Sequence, residues 1–143
     1  MRIVIQRSKE SFVNVDNKTV GKIKKGLVVL VAFTEGDTIK EIDYMVNKII
    51  NMRIFDGVPE KSLIEENGEI LAISQFTLYA DATKGRRPSY VRALKSEEAN
   101  KLYELFVQKL KETNLKVETG VFGADMDVHI TNDGPCTIIL DSN

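Results

Sequence analysis

The run Leu27-Val28-Val29-Leu30-Val31-Ala32-Phe33 constrains this chain most, because it is apolar at every position and follows directly on Gly26. A strand with one wet face alternates, whereas a strand without polar positions needs cover on both sides. It therefore reads as a central strand. Residues 2–7, 11–15 and 19–23 do alternate, and with a turn at Asp16-Asn17 they predict a hairpin or meander. Residues 69–78 predict a second buried strand, 53–55 a short one, and 116–119, 125–131 and 137–141 the last three.

Two segments carry helical periodicity. From a cap at Asp37 to about Asn51, Ile39, Ile42, Met45, Val46, Ile49 and Ile50 form one apolar stripe. A second helix starts at Ser96, where Glu97 and Glu98 favour the positive end of the dipole, and Leu102, Leu105, Phe106 and Leu110 face inward. No repeat, low-complexity tract or linker divides the 143 residues. The expected fold class is α/β, one sheet-rich layered domain over 1–143 with two main helices packed on β-sheet.

Composition narrows the function. A formal net charge of -1 gives no global field toward nucleic-acid phosphates, so any such contact must be local. The one cysteine, Cys136, excludes an intramolecular disulfide. The one histidine, His129, excludes the usual zinc sites; carboxylates leave room for a Mg²⁺ ion but form no dedicated motif, so no metal or other cofactor is expected. No apolar run reaches membrane-spanning length, and with no targeting segment in view a cytoplasmic location is expected.

Three segments break their local pattern. Gly134-Pro135 interrupts a β-rich region, where proline removes a ladder donor, so it marks either a hairpin turn or part of a binding site. Proline is also the residue whose peptide bond goes cis at modest cost, which would turn two neighbouring carbonyls the same way. Ser74, Gln75 and Thr77 bring polar groups into an apolar strand, either to close a hydrogen-bond network or to line a pocket. Gly120-Val121-Phe122-Gly123-Ala124-Asp125-Met126 is a pocket wall or a bend between strands. Lys84, Arg86 and Arg87 offer either phosphate contacts or an ordinary solvated loop.

Together these segments resemble the D-aminoacyl-tRNA deacylase (D-tyrosyl-tRNA deacylase) family. Its Ser-Gln-Phe-Thr signature is matched by Ser74-Gln75-Phe76-Thr77, and its Asn-x-Gly-Pro-x-Thr signature by Asn132-Asp133-Gly134-Pro135-Cys136-Thr137. Gln6-Arg7, Tyr79-Ala80-Asp81, the stretch 84–89 and Phe122-Gly123-Ala124-Asp125-Met126 are similar as well, so the likeness spans the chain. It implies hydrolysis of the ester of D-aminoacyl-tRNA, and of glycyl-tRNA mischarged on tRNA-Ala, with L-aminoacyl-tRNA rejected. It also implies a homodimer with a pocket for the 3′ aminoacyl-adenosine end, into which the partner inserts a cis Gly134-Pro135. Ser74, Gln75, Phe76 and Thr77 would line the reacting ester. Phe122 and Met126 would contribute to substrate binding, and Arg7 would brace the Gly-Pro segment.

Some positions depart from the family pattern. The stretch 58–66 is shorter than the usual loop, Tyr90 stands where Phe is usual, and Cys136 replaces an apolar or β-branched residue. No motif pairs His129 with Ser74 as a catalytic triad would require. An aminoacyl ester is already activated, so main-chain donors and the substrate's terminal 2′-hydroxyl are favoured over attack by Thr77. Two rivals remain: editing of another mischarged tRNA, as in the archaeal threonyl-tRNA synthetase editing domain, and a non-enzymatic dimeric binding module.

Overall fold

The apolar run becomes the middle of a five-stranded sheet in a computed structural model that describes residues 1–142. The strand order is β6 (Val117–Thr119), β5 (Glu69–Ser74), β4 (Gly26–Ala32), β1 (Arg2–Ser8), β8 (Asn132–Asp141). The β4–β5 and β5–β6 pairs are parallel, while β1 runs antiparallel to both β4 and β8. Parallel neighbours need long crossovers. One carries α1 (Ile39–Asn51) and the short α2 (Leu63–Glu66), and the other carries α3 (Ser96–Lys111).

The alternation of β4 and β5 sorts their side chains between two cores. Leu27, Val29, Val31, Ile70 and Ala72 face the helices, packed with Ile42, Met45 and Ile49 of α1 and Phe106 and Leu110 of α3. Val28, Leu71 and Ile73 face the other way, onto Val13 and Ile23. Those two belong to a second sheet, of order β3 (Lys18–Ile23), β2 (Ser11–Val15), β7 (Asp127–His129). The central strand is thus covered by helices on one face and by a small sheet on the other, as its lack of polar positions requires. Burying a ring such as Phe106 stabilises such a core by roughly 3 kcal/mol.

Several boundaries differ from the sequence expectation. Thr38, rather than Asp37, caps α1: its side chain accepts from the Lys40 amide and the Glu41 carboxylate accepts from the Thr38 amide. Asp37 instead accepts from the Thr34 amide at 2.8 Å. The inner stripe of α3 is centred on Ala99, Tyr103, Phe106 and Leu110, leaving Leu102 and Leu105 half-buried, because Tyr103 reaches the Ala72 carbonyl at 2.8 Å. Residues 53–55 form no strand and make only an isolated pairing of Phe55 with Lys61.

The first two alternating segments also part company. β1 joins the large sheet, and the hairpin is β2–β3, with Asp16 and Asn17 both at positive φ as a tight turn demands. Likewise β7 and β8 lie in different sheets, so Gly134-Pro135 is not the hairpin turn between them.

Candidate active site

The predicted strand 69–78 stops at Ser74, and the chain then tightens into a 3₁₀ turn, Phe76–Tyr79. The Gln75 amide still bonds the Val31 carbonyl at 2.8 Å, which extends the β4 ladder by one residue. The first bond inside the turn runs from the Leu78 amide to the Gln75 carbonyl at 3.2 Å. The Phe76 and Thr77 amides precede it, where a helical turn has no acceptor of its own to offer. Ser74 to Thr77 is therefore a strand end that presents main-chain donors.

Three parallel strands end on this side of the sheet, and a cavity of about 540 Å³ lies beyond them. Ala32 and Phe33 follow from β4, Ile73 to Phe76 from β5, and Phe122 to Met126 from the loop after β6. Tyr90 and Leu94 close it from the segment leading into α3, and Ser96 from the first residue of that helix. In open sheets, the carboxyl ends of parallel strands are where chains diverge and leave room for a ligand. The lining is mostly apolar with few polar groups, the pattern of a small-molecule pocket. At its mouth Phe76 and Tyr90 meet edge to face, with centroids 5.2 Å apart.

Of the residues singled out from sequence, Ser74, Gln75, Phe76, Phe122 and Met126 converge on this cavity. Thr77 stands just behind them, its hydroxyl taken by the Gln75 side-chain amide at 2.5 Å. The polar groups of this strand end thus do both things expected of them, lining a pocket and bonding one another. The glycine-rich segment is a pocket wall. Tyr79 sits beneath, 2 % exposed, with the guanidinium groups of Arg2 and Arg92 over its ring. Burial pushes its phenol up to about 12, with the carboxylates of Asp37 and Asp141 adding to the effect. Sequence reading missed Ala32, Phe33, Leu94 and Ser96, which carry no chemical signal and enter only through strand order.

Arg7, Gly134 and Pro135 lie elsewhere. β8 pairs Thr137 with Gln6 and Asn132 with Ser8, so residues 133–136 bulge outward opposite Arg7 alone. Asn132 brackets the bulge, accepting from the Cys136 amide and donating to the Thr137 hydroxyl, both at 2.8 Å. Arg7 holds it from beneath through the Asp133 carbonyl at 3.1 Å and the Ile54 carbonyl at 2.5 Å. Gly134 has φ +131, and a Cβ there would lie 2.8 Å from the Arg7 guanidinium, so glycine is required. The Gly134-Pro135 bond is cis, and both residues are exposed.

Register measures how far the bulge stands from the pocket of its own chain. Arg7 is level with Leu27, and Ser74 with Val31, four residues further along β4. That is about 13 Å along the strands and about 14 Å across three strand spacings, or roughly 19 Å in all. His129 is also remote from any catalytic use: it is exposed on β7, stacked on Phe12 with centroids 4.4 Å apart. Cys136, the last residue of the bulge, is half-buried.

Known proteins resemble this chain over nearly its whole length. The family model described as D-Tyr-tRNA(Tyr) deacylase matches residues 4–141. A D-aminoacyl-tRNA deacylase of Clostridium tetani (strain Massachusetts / E88) is 54% identical over 99% of this chain and 97% of its own length. One of Aquifex aeolicus (strain VF5) is 55% identical, over 99% and 98%. A solved structure described as c-Myc DNA Unwinding Element Binding Protein superposes with TM-score 0.92 at 39% identity, covering 100% of this chain and 99% of that one. A probable eukaryotic D-amino acid tRNA deacylase has TM-score 0.85 at 17% identity over 97% of both chains, a likeness of fold.

Gly120, where the pocket wall begins, has no room for a side chain, because a Cβ would overlap the Met126 sulfur and stand 3.3 Å from Ile73 Cδ1. Gly120→Ala is expected to turn Met126 into the cavity and to cost about 1–3 kcal/mol of stability, read by urea unfolding. A crystal structure of the variant with Met126 in its original place and unchanged stability would contradict this.

Proposed function

The chain belongs to the D-Tyr-tRNA(Tyr) deacylase family, and from that premise we propose that it edits aminoacyl-tRNA by hydrolysing D-aminoacyl esters while sparing L-aminoacyl ones. It is an ester hydrolase acting on aminoacyl-tRNA, the activity its close relatives are named for. Glycyl-tRNA mischarged on tRNA-Ala is a second proposed substrate, since glycine has no side chain to reject. Residues 1–143 act as one unit in this reading.

The observation that carries the proposal is the pocket at the end of β5, whose apolar walls meet main-chain donors at Phe76 and Thr77. The terminal aminoacyl-adenosine enters between Phe76, Tyr90 and Phe122, where flat aromatic groups suit an adenine ring. The ester carbonyl then lies against the turn, and its developing oxyanion accepts from the Phe76 and Thr77 amides. Preorganised donors in a site shielded from water are worth about 2.7–4 kcal/mol each in such reactions. The attacking water is oriented by the substrate's own 2′-hydroxyl. The Thr77 hydroxyl already serves as acceptor for Gln75 and has no base beside it in the sequence, which disfavours it as nucleophile.

Chiral selection needs a rigid group at the α-carbon, and the Gly134-Pro135 bulge is rigid but roughly 19 Å from its own pocket. We therefore assign it to the pocket of a second copy, in a homodimer. Two features support this. The bulge lies on the edge strand of the large sheet, where unpaired groups invite another chain. Next to it Ile139, 65% exposed, pairs with Val4 on the face turned away from the helices. Carbonyls of the inserted bulge would occupy the place of an L side chain and leave a D side chain free. Arg7 is the positioning residue that holds the bulge.

Purified protein is expected to deacylate D-Tyr-tRNA and to leave L-Tyr-tRNA intact; comparable cleavage of both enantiomers would defeat the proposal. Thr77→Ala is expected to keep kcat within about tenfold, while a substrate ending in 2′-deoxyadenosine reacts at least a hundredfold more slowly. An inactive variant that binds normally, with the deoxy substrate still turning over, would make Thr77 the nucleophile. Ile139→Asp is expected to yield a folded monomer by analytical ultracentrifugation, with turnover reduced by more than tenfold. A monomer with full activity and full stereoselectivity would rule out the shared pocket.

A further inference from the structure

We infer that the basic loop between Asp81 and Ser89 is a phosphate clamp for the single-stranded RNA that precedes the terminal nucleoside, an inference that rests on the aminoacyl-tRNA reading above. The loop is a closed hairpin rather than a loose excursion. At its neck the Asp81 and Ser89 amides each bond the other's carbonyl at 2.8 Å. The Asp81 carboxylate is taken up within the loop, accepting from the Thr83 hydroxyl at 2.6 Å and the Thr83 amide at 3.0 Å. These bonds hold its pKa below the usual carboxylate range, the hydroxyl contributing most.

The neck fixes where the loop stands. Asp81 follows the 3₁₀ turn by two residues, and Ser89 directly precedes Tyr90, which packs on Phe76 at the pocket mouth. A strand leaving the pocket past these two rings starts beside the neck of the loop. Beyond the neck, four residues reach at most about 14 Å. At the tip, Gly85 takes φ +70, which reverses the chain between Lys84 and the pair Arg86 and Arg87. All three cations are exposed, and none makes a salt bridge to a carboxylate among the described residues.

This concentration stands out in a chain whose formal net charge as a whole is -1. Many other cations are paired, as Lys22 with Glu10, Lys25 with Glu66, Arg53 with Glu65 and Lys109 with Asp43, and those without a salt bridge among the described residues, such as Lys9, Lys40 and Lys95, are scattered rather than gathered within one turn. Three unpaired cations beside a pocket for the last nucleoside match a short run of phosphates better than a carboxylate ligand, because a flexible polyanion can bridge all three. The contact carries no base specificity. It would hold any acceptor end in the same way and leave discrimination to the amino acid in the pocket.

The test is the triple variant Lys84→Ala/Arg86→Ala/Arg87→Ala, with Lys18→Ala/Lys22→Ala/Lys24→Ala as an equal charge change on the hairpin of the small sheet. The probe is an RNA minihelix with a single-stranded 3′ end that carries no amino acid, followed by fluorescence anisotropy over a salt series. Neutralising the loop is expected to weaken binding by on the order of tenfold or more at low salt, and to reduce the slope of log K against log salt by about 2, as three single-strand phosphate contacts require. The hairpin variant should bind within about twofold of the wild type. Unchanged affinity and slope in the loop variant, or an equal loss in the hairpin variant, would overturn the clamp. Hydrolysis of D-aminoacyl-tRNA by the wild type is read separately: binding through the loop without hydrolysis would support the clamp and refute the deacylase reading.

Discussion

The demand of β4 for cover on both faces is the constraint on which the rest of the structure depends. A strand with no polar position cannot sit at a wet face, so helices must lie on one side and other strands on the other. Parallel pairing with β5 and then β6 follows from the two helical crossovers, both of which return to the same face. Three parallel strands then finish on one side. The pocket is the space left where they diverge, and the two cores set its walls before any functional residue is considered.

Much of this was legible in the sequence. Apolar runs, alternation and helical stripes gave the layers, and the signatures at 74–77 and 132–137 pointed to the two places where polar or rigid groups gather. What stayed hidden depends on long-range geometry. Thr38 displaced Asp37 as cap because the Asp37 carboxylate is held by the distant N-terminal ammonium of Met1 and by the Thr34 amide, while Thr38 and Glu41 complete the capping box. The strand at 69–78 was read too long because 3₁₀ turns carry no periodicity of their own over four residues. Phe33 and Leu94 look like ordinary core residues and become pocket walls only once strand order is known.

The two signatures also differ in kind. In the proposed scheme residues 74–77 act where they stand, at the end of a buried strand, through donors of the main chain, with the Phe76 ring as part of the pocket wall. Residues 132–137 form an outward bulge fastened by Asn132, Thr137 and Arg7, and little of its surface is buried by its own chain. Rigid, exposed backbone fixed by several hydrogen bonds is costly to build unless something uses it. Its separation from the pocket of the same chain, about four strand residues and three strands away, makes a second copy the natural user in the proposed scheme.

In the proposed scheme the pocket and the loop beside it divide recognition by physical type. Stereochemistry demands positional precision within a fraction of an ångström, which only hydrogen-bonded backbone on a sheet can supply. Holding the rest of an RNA demands tolerance, because the same site must accept many acceptor ends. Unpaired cations on a pinched but otherwise free loop supply this, since phosphate attraction falls off gradually with distance and reads no base. In the proposed scheme the neck of the loop at Ser89 adjoins Tyr90 at the pocket mouth, so the clamp raises the local concentration of the 3′ end near the pocket while its cations stay on the far side of the neck. A chain of net charge -1 needs such a local device, because nothing in its overall field would otherwise bring a polyanion to the pocket.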